Sequence, residues 1–268
     1  MTRTLTAALV SLGAMLSASP ALAQEHRVLG QKGQFILSAD RLFPLFAFSH
    51  VSEDRFLPPG GASRLTDTTN QTSISLLWGA LNPIPIAGAG NGIGGLVINP
   101  FAVPRVGVDY TIIPNLTIGG DLAVYFTLGG NQDTETVNNN GASMTTSVGS
   151  PSFFVFGLAP RAGYVLPLTD LFTLWLRGGF SYYLESGKTT NGPTTTTSTV
   201  NQFALDLDPQ VVFTLIPHVG FTAGLSLDIP LTGGHSQTTD NNNGNSISQS
   251  AGSSILFFGI TAGLLAYF

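Results

Sequence analysis

The chain has 268 residues, a formal net charge of −5 and no cysteine. The lack of cysteine excludes disulfides, thiolate metal sites and a lipid-modified N-terminal cysteine, and an acidic chain without a basic patch is a poor candidate for binding nucleic acid. Charged residues are only 9% of the chain, whereas ordinary soluble domains have roughly 25%. This composition favours a membrane environment.

The N-terminus has the pattern of a secretory signal peptide. Arg3 is followed by an apolar run at Leu5–Leu16 and by small residues ending at Ala23. Cleavage is therefore predicted between Ala23 and Gln24. The predicted organisation is a signal peptide at 1–23, a short periplasmic segment at 24–33 and one domain at 34–268.

The first predicted strand is Gln34–His50. Its apolar residues change parity along the strand, since Phe35 lies on one face and Phe46 on the other. A bulge near Asp40–Leu42, or a kink at Pro44, explains the change of face.

Seven further segments alternate apolar and small or polar residues. After the signal, no segment approaches the roughly 18 uninterrupted apolar residues that a membrane helix needs. Alternation at period two instead predicts strands with one apolar face. The segments are Val106–Ile112, Leu116–Leu128, Phe154–Leu166, Phe172–Leu184, Phe203–Leu215, Val219–Ile229 and Leu256–Phe268.

Short turns and long polar stretches separate these strands in alternation. Short turns on one side and long connections on the other are typical of the periplasmic and extracellular ends of a membrane β-barrel. The short turns are Ile113–Asn115, Pro167–Asp170 and Ile216–His218, and the long stretches are Gly129–Ser152, Gly187–Asn201 and Thr232–Ser253. The sequence thus predicts an all-β protein, a closed antiparallel transmembrane β-barrel.

Eight strands are predicted, with ten as the alternative. In the eight-stranded version Val51–Pro100 is the first extracellular loop, and its apolar part Ile74–Leu81 extends the barrel above the bilayer. In the ten-stranded version Ser73–Leu81 crosses the membrane with a partner from Ile93–Asn99. The glycine and proline content of the segment between them favours eight.

Between Phe101 and Leu231, the nine charged residues within the predicted strands all lie opposite the apolar stripes. A charge facing lipid near the midplane costs about 2–4 kcal/mol, so we expect these side chains to point into the barrel. They are Arg105, Asp109, Asp121, Arg161, Arg177, Glu185, Asp206, Asp208 and Asp228.

Two interpretations of this interior are open. An eight-stranded barrel is only wide enough for side chains, so the charges form a buried network together with Trp175, Tyr183 and Gln210. Alternatively, they line a polar pore that favours cations. The residues around the carboxylates offer no positioned nucleophile, and no catalytic residue is predicted.

Neither a metal nor a cofactor is predicted. The four histidines are scattered, without the spacing of metal ligands. His50 and His235 could approach each other at the extracellular rim, the position of the catalytic histidine in outer-membrane proteases and lipid-modifying enzymes. No other motif of those enzymes accompanies them.

An export signal at one end and an amphipathic strand ending on Phe268 at the other resemble the small outer-membrane β-barrels of the OmpA-transmembrane, OmpX and OmpW type. The resemblance implies a location in the bacterial outer membrane, among lipid and lipopolysaccharide. It also implies that Phe268 is the signal that the barrel-assembly machinery recognises, and that periplasmic chaperones escort the chain.

The same resemblance implies three roles, which we rank in order. A structural or surface-interacting monomer comes first, and a narrow passive channel for small or hydrophobic solutes second. A barrel enzyme comes last.

Overall fold

The structure is a computed structural model that describes residues 28–56, 66–77, 84–85, 96–137, 143–191, 194–241 and 246–268. These residues form thirteen strands and a short 3-10 helix at Pro100–Ala102. The strands are β1 Phe35–Phe56, β2 Thr66–Leu76, β3 Ile84–Pro85, β4 Leu96–Val97, β5 Arg105–Ile113, β6 Leu116–Thr127, β7 Gly130–Val137, β8 Ser143–Ser150, β9 Ser152–Pro167, β10 Phe172–Asn191, β11 Thr194–Ile216, β12 Val219–Asn241 and β13 Ser246–Tyr267. Among the described residues, no helix is long and apolar enough to cross a membrane.

Eight strands form a closed antiparallel ring in the order β1, β5, β6, β9, β10, β11, β12, β13 and back to β1. The ring closes on β1, where Ile36 lies opposite Asp109 of β5 on one side and opposite Tyr267 of β13 on the other. A closed ring satisfies the backbone within itself, which is the condition that lipid imposes on β structure. The predicted eight-stranded antiparallel barrel is confirmed.

Strand β2 lies outside this ring and pairs with the upper part of β1. The ten-strand alternative, in which Ser73–Leu81 crosses the membrane with Ile93–Asn99, is therefore wrong. Ser73–Leu76 instead lies opposite Phe46–Ser49 of β1. This is possible because β5 begins only at Arg105, which leaves the upper edge of β1 open to β2.

Strand β1 changes face where a bulge was predicted. Its register against β13 shifts between Ala39 and Phe43, and again after Pro44. Arg41 lies within the first shift and has a left-handed φ of 57°. As a result, Asp40 and Arg41 are consecutive in sequence and both are buried in the interior.

The predicted long extracellular connections are present, and most of their described length is strand. Strands β10 to β13 are 20 to 23 residues long, about twice the 9–11 residues that a tilted strand needs to cross a bilayer. Threonine, which is β-branched, favours this extension. Cross-strand pairing continues through the polar part, where Lys188, Thr197, Thr238 and Ser248 form one row across four strands.

Candidate functional site: the charged interior

Inward and outward positions of the ring differ sharply in chemistry. The side chain of Leu176 points outward with 42% exposure, whereas that of its neighbour Arg177 points inward with 4% exposure. The structure places all nine charged residues singled out in the sequence at buried positions: Arg105, Asp109, Asp121, Arg161, Arg177, Glu185, Asp206, Asp208 and Asp228.

Two interior charges, Asp40 and Arg41, are missing from that set. The period-two rule assigns consecutive residues to opposite faces, so it cannot place both inside. The change of parity in β1 indicates a bulge. That bulge is the signal in the sequence that could have placed both residues inside the barrel. With these two, the described interior holds four arginines and seven carboxylates.

The first ion-pair group joins two arginines to two aspartates across the barrel. Arg41 donates to Asp228 over 2.8 Å and to Asp206 over 3.3 Å. Arg105, from β5, donates to the same two carboxylates, reaching Asp228 over 3.2 Å. Each carboxylate is thus held by two guanidinium groups. Residues from β1, β5, β11 and β12 are tied together through the centre.

The second group is built around Arg161 of β9. Its guanidinium donates to Asp40 over 3.0 Å and also to Asp109 and Asp121. The Ser38 hydroxyl accepts from the same guanidinium over 3.1 Å and donates to Asp40 over 2.8 Å. One arginine therefore connects strands β1, β5 and β6 to β9.

Arg177 of β10 completes the second group. It donates to Asp40 over 2.9 Å and to Asp208 on the adjacent strand β11. Gln210 and Ser226 also donate to Asp208, over 2.6 and 2.9 Å. Asp40 thus bridges the arginines of β9 and β10.

Trp175 forms an aromatic floor beneath the charges, near the periplasmic end of β10. Its ring is fully buried, and the guanidinium carbons of Arg177 and Arg161 lie 4.6 and 5.5 Å from its centroid. Its indole N–H donates to the Thr117 hydroxyl over 3.2 Å. Cation–π attraction therefore adds to the ion pairs of both arginines.

An aromatic roof covers the charges on the extracellular side. The Phe101 ring contacts Tyr183 edge-on, with centroids 5.1 Å apart, and stacks on Phe257 at 6.3 Å. Arg105 lies over the Tyr183 ring and Arg41 over the Phe257 ring, at 5.4 and 5.5 Å from the centroids. The charged layer is thus enclosed between aromatic rings.

Phe101 belongs to an inward-folded segment, Ile98–Val103, which we call the plug. All six of its residues are buried. The Ile98 N–H donates to the Glu185 carboxylate, and the Phe101 carbonyl accepts from Arg41. Ile98–Pro100 were predicted to end the first extracellular loop, Val51–Pro100, and Phe101–Val103 lie between that loop and the predicted strand Val106–Ile112. Their apolar run is too short and too close to prolines for a spanning strand, and nothing in its period indicates that it turns inward.

The periplasmic end is closed by the segment that precedes β1. Leu29 is buried and packs in one cluster with Trp175 and Val165. The Gln34 side chain holds the segment by accepting from the Gly30 N–H over 2.8 Å and donating to the Val28 carbonyl over 3.1 Å.

The remaining residues singled out in the sequence lie elsewhere. His50 and His235 do not form a pair, because the His50 ring contacts Thr72 on the outside of β1, over 3.0 Å, while His235 is buried inside. Phe268 ends the chain beside β1, where its N–H donates to the Phe35 carbonyl. The predicted cleavage site at Ala23 and Gln24 lies outside the described residues.

No family model matches the chain, and no curated protein matches it. Solved structures do match, at low identity. The outer membrane protein OprG from Pseudomonas aeruginosa is 11% identical, with 90% of this chain and 99% of that chain covered and a TM-score of 0.48. A major outer membrane protein from Thermus thermophilus is 14% identical, with 83% of this chain and 99% of that chain covered and a TM-score of 0.43. The outer membrane protease OmpT from Escherichia coli is 10% identical, with 91% of this chain and 100% of that chain covered and a TM-score of 0.40.

The geometry of the described residues is that of a protein that crosses a membrane. Its ring of strands is closed, its outward positions are apolar, and each described charge of the crossing segments faces inward. Lipid requires all three features, because unpaired backbone groups and lipid-facing charges each cost several kcal/mol. The chain is a small membrane-spanning β-barrel with the architecture of outer-membrane proteins.

Proposed function

We propose that this barrel has a structural or surface-interacting role and that its interior does not conduct ions. The observation that supports the proposal is the filling of the interior in layers. From the periplasm outward these are the apolar cluster around Trp175, the two ion-pair groups, and the plug with its aromatic roof. A packed interior of this kind braces the wall from within, since it joins strands that are not neighbours in the ring.

A narrow passive channel for small or hydrophobic solutes is the second candidate. One observation favours it, namely that seven carboxylates face only four arginines. If the interior were hydrated, that excess would favour cations. A catalytic role ranks below both, because the lumen aspartates are held in ion pairs by arginines.

The partners that fit this role lie at the outer surface. The outward-facing apolar side chains of the crossing segments form an apolar belt around the barrel. Above this belt, the outward rows of β10 to β13 consist mainly of hydroxyl side chains, such as Thr197, Thr238 and Ser248. These rows suit contact with the sugars of lipopolysaccharide, and the apolar belt suits membrane lipid. During biogenesis, chaperones and the barrel-assembly machinery would handle the chain. A closed ring needs no partner strand, which supports a monomer.

Recording from planar lipid bilayers with refolded protein tests the proposal. We expect no channel steps from the wild type under conditions in which an added general porin gives them. Steady, cation-selective steps from the wild type would instead support the channel.

A double variant shows which layers close the interior. Phe101→Ala with Trp175→Ala removes roof and floor together, and we expect it to raise ion leakage. The matched control, Leu176→Ala with Phe180→Ala, removes similar bulk from the lipid face and is expected to leave the barrel closed.

A further inference from the structure

Two periplasmic turns of the barrel have the same backbone form. One joins β5 to β6 through Pro114 and Asn115, and the other joins β11 to β12 through Pro217 and His218. Both residues after the proline are left-handed, with φ of 68° for Asn115 and 72° for His218. A proline followed by a left-handed residue is what a type II turn requires.

The backbone alone does not explain the imidazole at the second turn. Asparagine meets the same conformational demand at the first, as a residue that tolerates the left-handed region. A reason for histidine has to come from what its side chain contacts.

The imidazole of His218 makes three contacts with the last two residues of the chain. One is with the Tyr267 ring, which is tilted against it with centroids 5.6 Å apart. The imidazole Nδ1 lies 2.9 Å from the carbonyl oxygen of Tyr267, and because a carbonyl only accepts, Nδ1 carries the proton. The His218 ring is also nearly parallel to the Phe268 ring, at an angle of 9° with centroids 6.5 Å apart. The backbone adds a fourth contact, since the Tyr267 N–H donates to the His218 carbonyl over 2.9 Å.

Phe268 occupies the point at which the ring closes. It lies just beyond the end of β13, where its N–H donates to the Phe35 carbonyl over 2.9 Å and its carbonyl accepts from the Phe35 N–H over 3.1 Å. A chain terminus frays unless it is tied down. The seam between the last and the first strand therefore depends, at its periplasmic end, on how firmly this residue is held.

We propose that His218 is a clamp for the C-terminal residue and positions Phe268 against β1. The clamp acts through the side chain, by a hydrogen bond to the Tyr267 carbonyl and a stack on the Phe268 ring. It is separate from the charged interior and does not depend on whether the barrel conducts.

The test compares His218→Asn with wild type in the folded, detergent-bound protein. Asparagine keeps the turn, as Asn115 shows, and removes the ring. One readout is release of Phe268 by carboxypeptidase A, and the other is hydrogen exchange at the amides of Phe35 and Phe268. We expect both to rise about tenfold or more, from the loss of two aromatic contacts and one hydrogen bond. Exchange in the middle of β12 should not change.

Two further variants keep the result decisive. Asn115→Gly alters the equivalent turn away from the chain end and should leave Phe268 release at the wild-type rate. An equal rise in that variant, or no rise in His218→Asn, would overturn the clamp. If His218→Asn does not fold, Phe268→Leu removes the stack from the other side. Unchanged exchange at Phe35 in that variant would overturn the proposal equally.

Discussion

Leu176 and Arg177 are adjacent on β10 and occupy opposite sides of the barrel wall. Leu176 faces lipid, while Arg177 is buried between Asp208 and Asp40. Adding a charge at Leu176 and removing the charge of Arg177 should therefore both destabilise the barrel, but for different reasons.

Leu176→Arg places a charge in lipid. We expect the free energy of unfolding to fall by about 2–4 kcal/mol, the cost of a basic side chain near the midplane of a barrel. Denaturant unfolding in lipid vesicles measures the change. Leu176→Val is the matched control and should lie close to wild type, because it keeps an apolar side chain in the same place.

Arg177→Leu removes a counter-charge from two buried carboxylates. Breaking such a pair typically costs about 3–5 kcal/mol when the remaining charge stays desolvated, and less when water enters. The larger loss, without any conductance, is the outcome expected of a packed interior. A small loss accompanied by new conductance would indicate a hydrated lumen.

Alternation along the strands was sufficient to predict the eight strands of the ring and, outside the bulge of β1, the faces of their side chains. It placed Arg105 and Asp228 inside because lipid excludes charge from the other face. It could not pair them, since the partners sit on β5 and β12, far apart in the ring, and meet only across the lumen. Strand adjacency offers Glu185, Asp206 and Asp208 alike as partners of Arg177, and the structure pairs it with Asp208. The second partner, Asp40, is one that adjacency does not indicate.

The plug could not be predicted for a different reason. Residues 98–103 have neither strand nor helix periodicity, and their position depends on contacts with β1 and β10 that form only once the ring exists. Local pattern carries no information about such contacts.

Interior glycines provide room for the aromatic rings. A Cβ on Gly157 would lie 2.2 Å from the Tyr183 ring, so Gly157→Ala should destabilise the barrel by about 1–3 kcal/mol through overpacking. Adding Tyr183→Leu should recover part of the loss in a double-mutant cycle. Gly252→Ala, where a Cβ meets open space, is the control. A Gly157→Ala protein as stable as wild type would place the Tyr183 ring elsewhere.

Anchoring of the plug by Glu185 can be tested with two neutral replacements. Glu185→Gln retains an acceptor for the Ile98 N–H, whereas Glu185→Leu leaves that buried donor unsatisfied. We expect the leucine variant to be less stable than the glutamine variant by about 1–3 kcal/mol in denaturant unfolding. Equal stability would show that Ile98 does not depend on this carboxylate.

Export can be checked at the N-terminus of the purified protein. If Met1–Ala23 is a cleaved signal peptide, the mature chain from outer-membrane fractions begins at or near Gln24, as measured by mass spectrometry. An intact Met1 in those fractions, or a soluble mature protein, would contradict the predicted organisation.

Orientation in the membrane can be read from the two lysines of the chain, because they lie at opposite ends of the barrel. Lys188 is exposed in the extracellular extension of β10, and Lys32 is exposed beside the periplasmic turns, just before β1. A membrane-impermeant amine reagent applied to intact cells should label Lys188 and spare Lys32, and permeabilising the outer membrane should then expose both. Lys188→Arg is the control, since it keeps the charge and should abolish labelling of intact cells. Labelling of Lys32 in intact cells, with Lys188 protected, would mean that the barrel is inserted the other way up and that the hydroxyl rows face the periplasm.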